Sequence, residues 1–313
     1  MQYRMIMEDL ISEVPKINKQ IIYDIFLATR PLSLTLAIYS TTIGIVIAYH
    51  NGFLFQPGSY GIDIVKILLV TIAGLLVQTG ANLINDYFEC EYKYRPQSIK
   101  KYRFLGKQRT LFDIFIFLFG LACFGATGFI GLILLYLTSS EVLIVGILGI
   151  IGSYSYTGEP IVYKKRGLGT PLSFLLMGPL MVYGAYVVFS ESFSLSPILL
   201  SLPVSLLIPA LMLSNELRDF NRDKKLGIRT LTVRLGYLFG RNLYIALLVV
   251  SYLLVFALVI VKQLPVTSLF VFITVPLAIK SYRLVAVNQR ALVPETNKLH
   301  LSFGLILIIS LLI

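Results

Sequence analysis

The sequence contains no tryptophan, only two cysteines, and few charges: 14% of its 313 residues are Asp, Glu, Lys or Arg. Each shortage excludes something. A soluble globular domain is nearer one-quarter charged, so a chain this poor in charge is not built to be wetted on all sides. Cys90 and Cys123 fit no metal-binding or redox spacing and read as unpaired thiols. Residues 1–30 lack the basic start and immediate apolar run of a secretory signal peptide, because Glu8, Asp9, Glu13, Lys16 and Lys19 precede any long apolar stretch. They are predicted to form a cytoplasmic amphipathic segment lying on a membrane surface. With tryptophan absent, the aromatic content rests on 20 Phe and 19 Tyr.

What is abundant is apolar sequence, at 57% of the chain. A helix needs roughly 20 apolar residues to cross the bilayer core. Apolar runs at 32–48, 64–84, 111–137, 142–156, 171–189, 195–213, 238–261, 266–279 and 299–313 predict about nine transmembrane helices. The expected fold class is an all-α integral membrane protein, a single bundle over residues 1–313 with no separately folding soluble domain. The last run has only 15 residues, reaching about 22 Å at 1.5 Å per residue against a core of roughly 30 Å.

Basic residues set the orientation. With the N-terminus cytoplasmic, nine spans place every Lys and Arg on the cytoplasmic side except Lys66 and Lys262, out of 27 in all. The dense loops are those holding Lys93 to Arg109, Lys164 to Arg166 and Arg218 to Arg241. The net charge of +11 is therefore a topology signal, and no nucleic acid is called for as a partner.

Two clusters break the apolar pattern with acids where a span meets the cytoplasm. Asn82, Asn85, Asp86 and Glu89 are three or four residues apart and share one helix face. Asn215, Asp219 and Asp223 are four apart and form a second row, with Arg218 and Arg222 in the row beside it. Ionisable groups at a span are functional by default, and two such clusters on one side reinforce each other. Facing carboxylate rows suit hard cations. Magnesium takes one or two carboxylates together with substrate phosphate oxygens, so the pattern suits metal-bridged diphosphate binding, with nearby cations offsetting the remaining charge.

The same residues carry a resemblance. Asn85-Asp86-Tyr87-Phe88-Glu89, followed by Asn215, Asp219 and Asp223, resembles the paired acidic motifs of the UbiA superfamily of intramembrane prenyltransferases, with Glu in place of the first motif's second Asp. Arg30-Pro31, Tyr154-Ser155-Tyr156-Thr157-Gly158 and Gly178-Pro179-Leu180-Met181-Val182-Tyr183-Gly184 are also similar to family segments. The run from Asp223 to Gly236 and the segment Leu299-His300-Leu301-Ser302-Phe303-Gly304 look most like the branch that prenylates 1,4-dihydroxy-2-naphthoate in menaquinone synthesis. One departure stands out: where the family often carries a further Asp after the first motif, this chain has Lys93 or Arg95.

The resemblance implies transfer of a polyprenyl group from its diphosphate to an aromatic acceptor. Magnesium held by Asp86, Glu89, Asn215, Asp219 and Asp223 would withdraw charge from the leaving group. Asn82, Asn85 and Asn215 would orient the metal, its waters or a substrate. Arg30, Lys93, Lys164 and Arg222 are candidate diphosphate contacts, Lys164 partly by family analogy. Tyr154, Tyr156 and Tyr183 are candidate pocket aromatics for the developing cation, each weighed against the ordinary place of tyrosine at a membrane interface. His300 reads first as an interfacial polar residue and second as a proton shuttle. Other acceptors (4-hydroxybenzoate, homogentisate, a glycerol-phosphate lipid) belong to the same enzyme class. A cation transporter is the rival class, but transporter sites lie near the midplane, whereas both clusters here sit at one boundary. Prenyl chain length and oligomeric state leave no signature in these motifs.

Overall fold

The computed structural model describes residues 19–90 and 100–313. Helix α1 (Lys19–Ala28) leaves Ile22, Tyr23, Phe26 and Leu27 exposed, an apolar face suited to lying on lipid. The rest of the expected surface segment, 1–18, lies outside the described residues. Pro31 begins α2 (Pro31–His50) at its first turn, where proline costs nothing because that N–H has no intrahelical partner. Helices α3 (Tyr60–Glu89), α4 (Leu111–Leu137), α5 (Glu141–Ser155), α6 (Gly169–Ser190) and α7 (Ser196–Lys225) follow. A short α8 (Leu231–Leu235) leads into α9 (Tyr237–Ile260), α10 (Val266–Val287) and α11 (Gln289–Leu312).

Eight of these helices are long and apolar enough to cross a membrane, and α5 is a shorter apolar helix. The chain is thus an all-α integral membrane protein with about nine spans. The last helix is longer than its apolar run. The last helix has 24 residues, and α5 has 15. Polar residues had broken the last apolar run, yet Thr296, Asn297 and His300 turn into the bundle and are buried, and Glu295 is paired with Lys280 at 2.8 Å. The acidic rows likewise extend α3 and α7 without interruption rather than starting loops.

Small residues let the helices approach. A Cβ on Gly44 would lie 2.3 Å from the Val182 carbonyl oxygen, so α2 meets α6 backbone to backbone. Helix α6 contains a π turn over Leu176–Leu180 with Pro179 inside it. The Ser40 hydroxyl of α2 donates to the Met177 carbonyl at 2.5 Å, supplying a partner at the irregular turn.

A two-stranded hairpin interrupts the helical plan: β1 (Tyr102–Phe104) pairs antiparallel with β2 (Lys107–Arg109). Its two-residue turn, Leu105-Gly106, has positive φ at both positions, the primed turn that matches strand twist. Phe104 packs on Phe117 and Tyr87, and the Arg109 guanidinium lies 5.0 Å from the Tyr87 ring centre. The hairpin is thereby pinned over the end of α3 that carries the first acidic row.

Candidate active site

Both rows open onto one cavity of about 560 Å³. From α3 it is lined by Gln78, Asn82, Asn85 and Glu89, and from α7 by Asn215, Glu216, Asp219 and Asp223. The two rows therefore face a common space. Basic residues complete the wall: Arg30, Lys164, Arg218 and Arg222.

Glu89 is the hub of the first row. It accepts from Lys164, which belongs to the turn Tyr163–Arg166, and from Arg30 at 3.4 Å. With the Asn85 amide oriented to satisfy its neighbours, Asn85 Oδ1 accepts from the Arg30 guanidinium at 2.6 and 3.0 Å while Nδ2 donates to Glu89 at 3.0 Å. Arg30 itself sits in the left-handed region at φ 51, an unfavourable conformation for a non-glycine residue before proline. The Asn85–Glu89 contacts hold it there.

The second row is also neutralised internally. Arg218 forms a two-pronged pair with Asp219 at 2.8 and 2.9 Å. Arg222 bridges Asp219 and Asp223, both at 3.0 Å. Asn215 donates to the Leu211 carbonyl of its own helix at 3.0 Å. Asn82 ties the entry of α2 to α3 by donating to Thr29 O at 2.7 Å and Ser33 Oγ at 2.6 Å.

Tyr156 lines the cavity beneath Lys164, whose ammonium lies 5.5 Å from the ring centre. Burial, with the Glu89 carboxylate adding to it, pushes the Tyr156 phenol far above its ordinary range. This hydroxyl stays protonated. Tyr163 stands edge-on to Tyr156 and is raised by burial in the same way.

Other sequence candidates lie elsewhere. Asp86 is buried on α3 but is not part of the cavity wall; the inward arc runs through Asn82, Asn85 and Glu89. Tyr154 packs against Gly158 and an aromatic cluster behind the cavity. Tyr183 packs on Phe193 on the part of α6 beyond the π turn. His300 is buried against Tyr39. Lys93 falls outside the described residues.

Two further residues join the site. Glu216 is anchored by Thr170 Oγ1 at 2.7 Å and the Thr232 amide at 2.9 Å. Asn297 of α11 lines the cavity, is 5% exposed, and its Oδ1 has no hydrogen-bond partner. Neither position carries a signal in the sequence beyond a polar residue in or beside a span.

Among the described residues no three carboxylate, histidine or cysteine side chains converge tightly enough to form a metal cage. The donor set is instead hard oxygen from two rows: Glu89 with Asn85, and Asp219 and Asp223 with Asn215. That set fits magnesium, which uses one or two carboxylates and fills its remaining positions with phosphate and water.

The model of the UbiA prenyltransferase family matches residues 37–300. The chain is 26% identical over 297 residues to 1,4-dihydroxy-2-naphthoate octaprenyltransferase of Bacillus subtilis (strain 168), covering 91% of each chain. The apo structure of a UbiA homolog from Aeropyrum pernix K1 superimposes with a TM-score of 0.65 at 17% identity, covering 88% of this chain and 96% of that one. A UbiA homolog from Archaeoglobus fulgidus bound to GPP and Mg2+ superimposes with a TM-score of 0.57 at 12% identity, covering 90% and 97%.

Proposed function

The chain belongs to the UbiA prenyltransferase family, and on that premise we propose that it transfers a polyprenyl group from a polyprenyl diphosphate to 1,4-dihydroxy-2-naphthoate, with magnesium as its cofactor. The observation that carries this reading is the single cavity into which Asn85 and Glu89 of α3 face Asn215, Asp219 and Asp223 of α7, ringed by Arg30, Lys164 and Arg222. The acceptor rests on the Bacillus subtilis relative, and magnesium on the donor chemistry and the Archaeoglobus fulgidus homolog.

Magnesium held by Glu89, Asp219 and Asp223 would offset charge on the departing diphosphate. Arg30, Lys164 and Arg222 already lie against these carboxylates, so they are placed to move onto phosphate oxygens. Such donors count most when they act on charge that develops as the allylic C–O bond breaks. The Tyr156 ring, already under an ammonium, offers its face to the allylic cation. Asn297 gives the acceptor an amide to bind on the α11 side of the cavity. The acid-rich end of the bundle faces the cytoplasm in this reading, where soluble acceptor and magnesium are available.

The test is an assay of purified protein with magnesium, a set of polyprenyl diphosphates and a panel of acceptors including 4-hydroxybenzoate, homogentisate and a glycerol-phosphate lipid. Prenylated 1,4-dihydroxy-2-naphthoate should appear by mass spectrometry, vanish with chelator and return with magnesium. Product on another acceptor alone would reassign the substrate.

A further inference from the structure

His300 is a buried polar residue with no task in the mechanism above. It is 1% exposed on α11, and its Nδ1 has no hydrogen-bond partner. Asn297, three residues earlier, lines the cavity, and its Oδ1 likewise has no partner. Residues three apart share a helix face, so the two unpaired groups lie one turn from each other, Asn297 at the cavity wall and His300 further along the span. We propose that this pair reads a ring hydroxyl of the acceptor: the Asn297 amide touches the hydroxyl, and His300 is the positioning residue that holds the amide by donating from Nδ1 to Oδ1. The proposal rests on the prenyl-transfer reading above.

Three observations carry it. A buried polar atom left without a partner is costly, and these two have no local remedy. Ser205 and Ser281 also bury unpaired hydroxyls, but a hydroxyl can turn onto the carbonyl four residues back in its own helix. An amide oxygen cannot donate, and the helix N–H groups around it already serve the backbone. An imidazole in the tautomer with its proton on Nδ1 supplies the missing donor. The imidazole is also held in place. Tyr39 of α2 stands edge-on to it with ring centres 5.7 Å apart, and a Cβ on Gly304 would lie 2.5 Å from Tyr39 Cδ1. His300 and Gly304, one turn apart, thus clasp one tyrosine between them. Finally, the cations of the cavity are committed elsewhere: Arg30, Lys164, Arg218 and Arg222 lie against the acidic rows. A carboxylate calls for such a cation, whereas a neutral hydroxyl suits a neutral amide. With Oδ1 held by His300, the Asn297 N–H group is left to donate to the hydroxyl oxygen.

The test is calorimetric binding of 1-hydroxy-2-naphthoate, 4-hydroxy-2-naphthoate and 2-naphthoate to the purified protein, which needs no turnover. At least one hydroxylated acid should bind the wild type about five- to tenfold more tightly than 2-naphthoate, the scale of one hydrogen bond. Asn297→Leu should bind all three acids alike. Two histidine variants separate positioning from packing. Asn at 300 presents its amide nitrogen where imidazole Nδ1 stood, and Gln presents its own where Nε2 stood. The hydroxyl preference should therefore survive within about twofold in His300→Asn and be lost in His300→Gln, while both keep the wild-type affinity for 2-naphthoate. Should Asn297→Leu fail to bind even 2-naphthoate, the histidine pair carries the test. Equal loss in both histidine variants, an unchanged preference in Asn297→Leu, or one affinity for all three acids in the wild type would overturn the assignment. A wild type that shows the preference yet prenylates no acceptor would strike the prenyl-transfer reading and leave the hydroxyl site standing. Prenyl transfer with a preference indifferent to both residues would do the reverse.

Discussion

At the scale of single residues, the sharpest expectation concerns the second row. Asp219→Ala and Asp223→Ala should each lower turnover at least a hundredfold, about 3 kcal/mol or more of transition-state stabilisation, with the protein still folded in detergent. Retention of normal prenyl transfer by the double variant would falsify the metal–diphosphate mechanism. Glu89→Asp is the informative contrast in the first row. It keeps the carboxylate, so activity should persist, with a shifted metal preference if Glu89 ligates directly. Asp86 is buried one step around the same helix from Asn85, and Asp86→Asn measured beside Glu89→Gln in the same assay shows which of the two carboxylates the reaction depends on. Asn297→Leu should raise the KM for the acceptor while leaving that for the diphosphate unchanged, which steady-state kinetics with each substrate varied in turn would separate. Sequence spacing alone exposed Asn85, Glu89, Asn215, Asp219 and Asp223, because three- and four-residue intervals mark one helix face. It also picks out Asp86, four residues from Asn82 and three from Glu89 on the same helix. Glu216 and Asn297 stayed hidden because their meaning depends on which way α7 and α11 are rotated, and rotation is set by packing.

At the scale of elements, the helices were legible wherever a run was long and apolar, and their ends were not. The acids that stop an apolar run do not stop a helix, so α3 and α7 continue through their motifs to Glu89 and Lys225. The hairpin after α3 was missed because Leu105-Gly106 is an unusual primed turn, and its strands are only three residues each. The π turn of α6 follows from Pro179, but its partner Ser40 lies 137 residues away and no local pattern connects them. The α2–α6 contact gives a stability prediction. Gly44→Leu places carbon against the Val182 carbonyl, so the helices must separate. Overpacking of this kind costs about 1–3 kcal/mol, which thermal unfolding in detergent should show as a lowered midpoint, whereas Gly125→Leu should not move it.

At the scale of the whole molecule, the positive-inside pattern predicts that Lys100 and Lys165 share one face of the membrane and Glu191 occupies the other. Cysteine substitutions labelled from each side would test this, and Lys100 and Glu191 reacting on the same face would rule it out. The structure pairs Lys66 with Glu191 at 3.0 Å, so one of the two basic exceptions is neutralised inside the fold. The site's charges have a broader consequence. Glu89, Asp219 and Asp223 are each already matched by a cation of the same chain. A divalent ion arriving alone competes with Lys164 and Arg222 for these carboxylates, and a diphosphate arriving alone competes with the carboxylates for the same cations. Arriving together, each ligand takes the partners the other releases. Under the proposed reading, metal and diphosphate are therefore thermodynamically linked, and linkage is reciprocal: whatever factor the diphosphate adds to magnesium affinity, magnesium must return to diphosphate affinity. Calorimetric titrations in the two orders should give weak binding for either ligand alone and the same coupling factor whichever is added first.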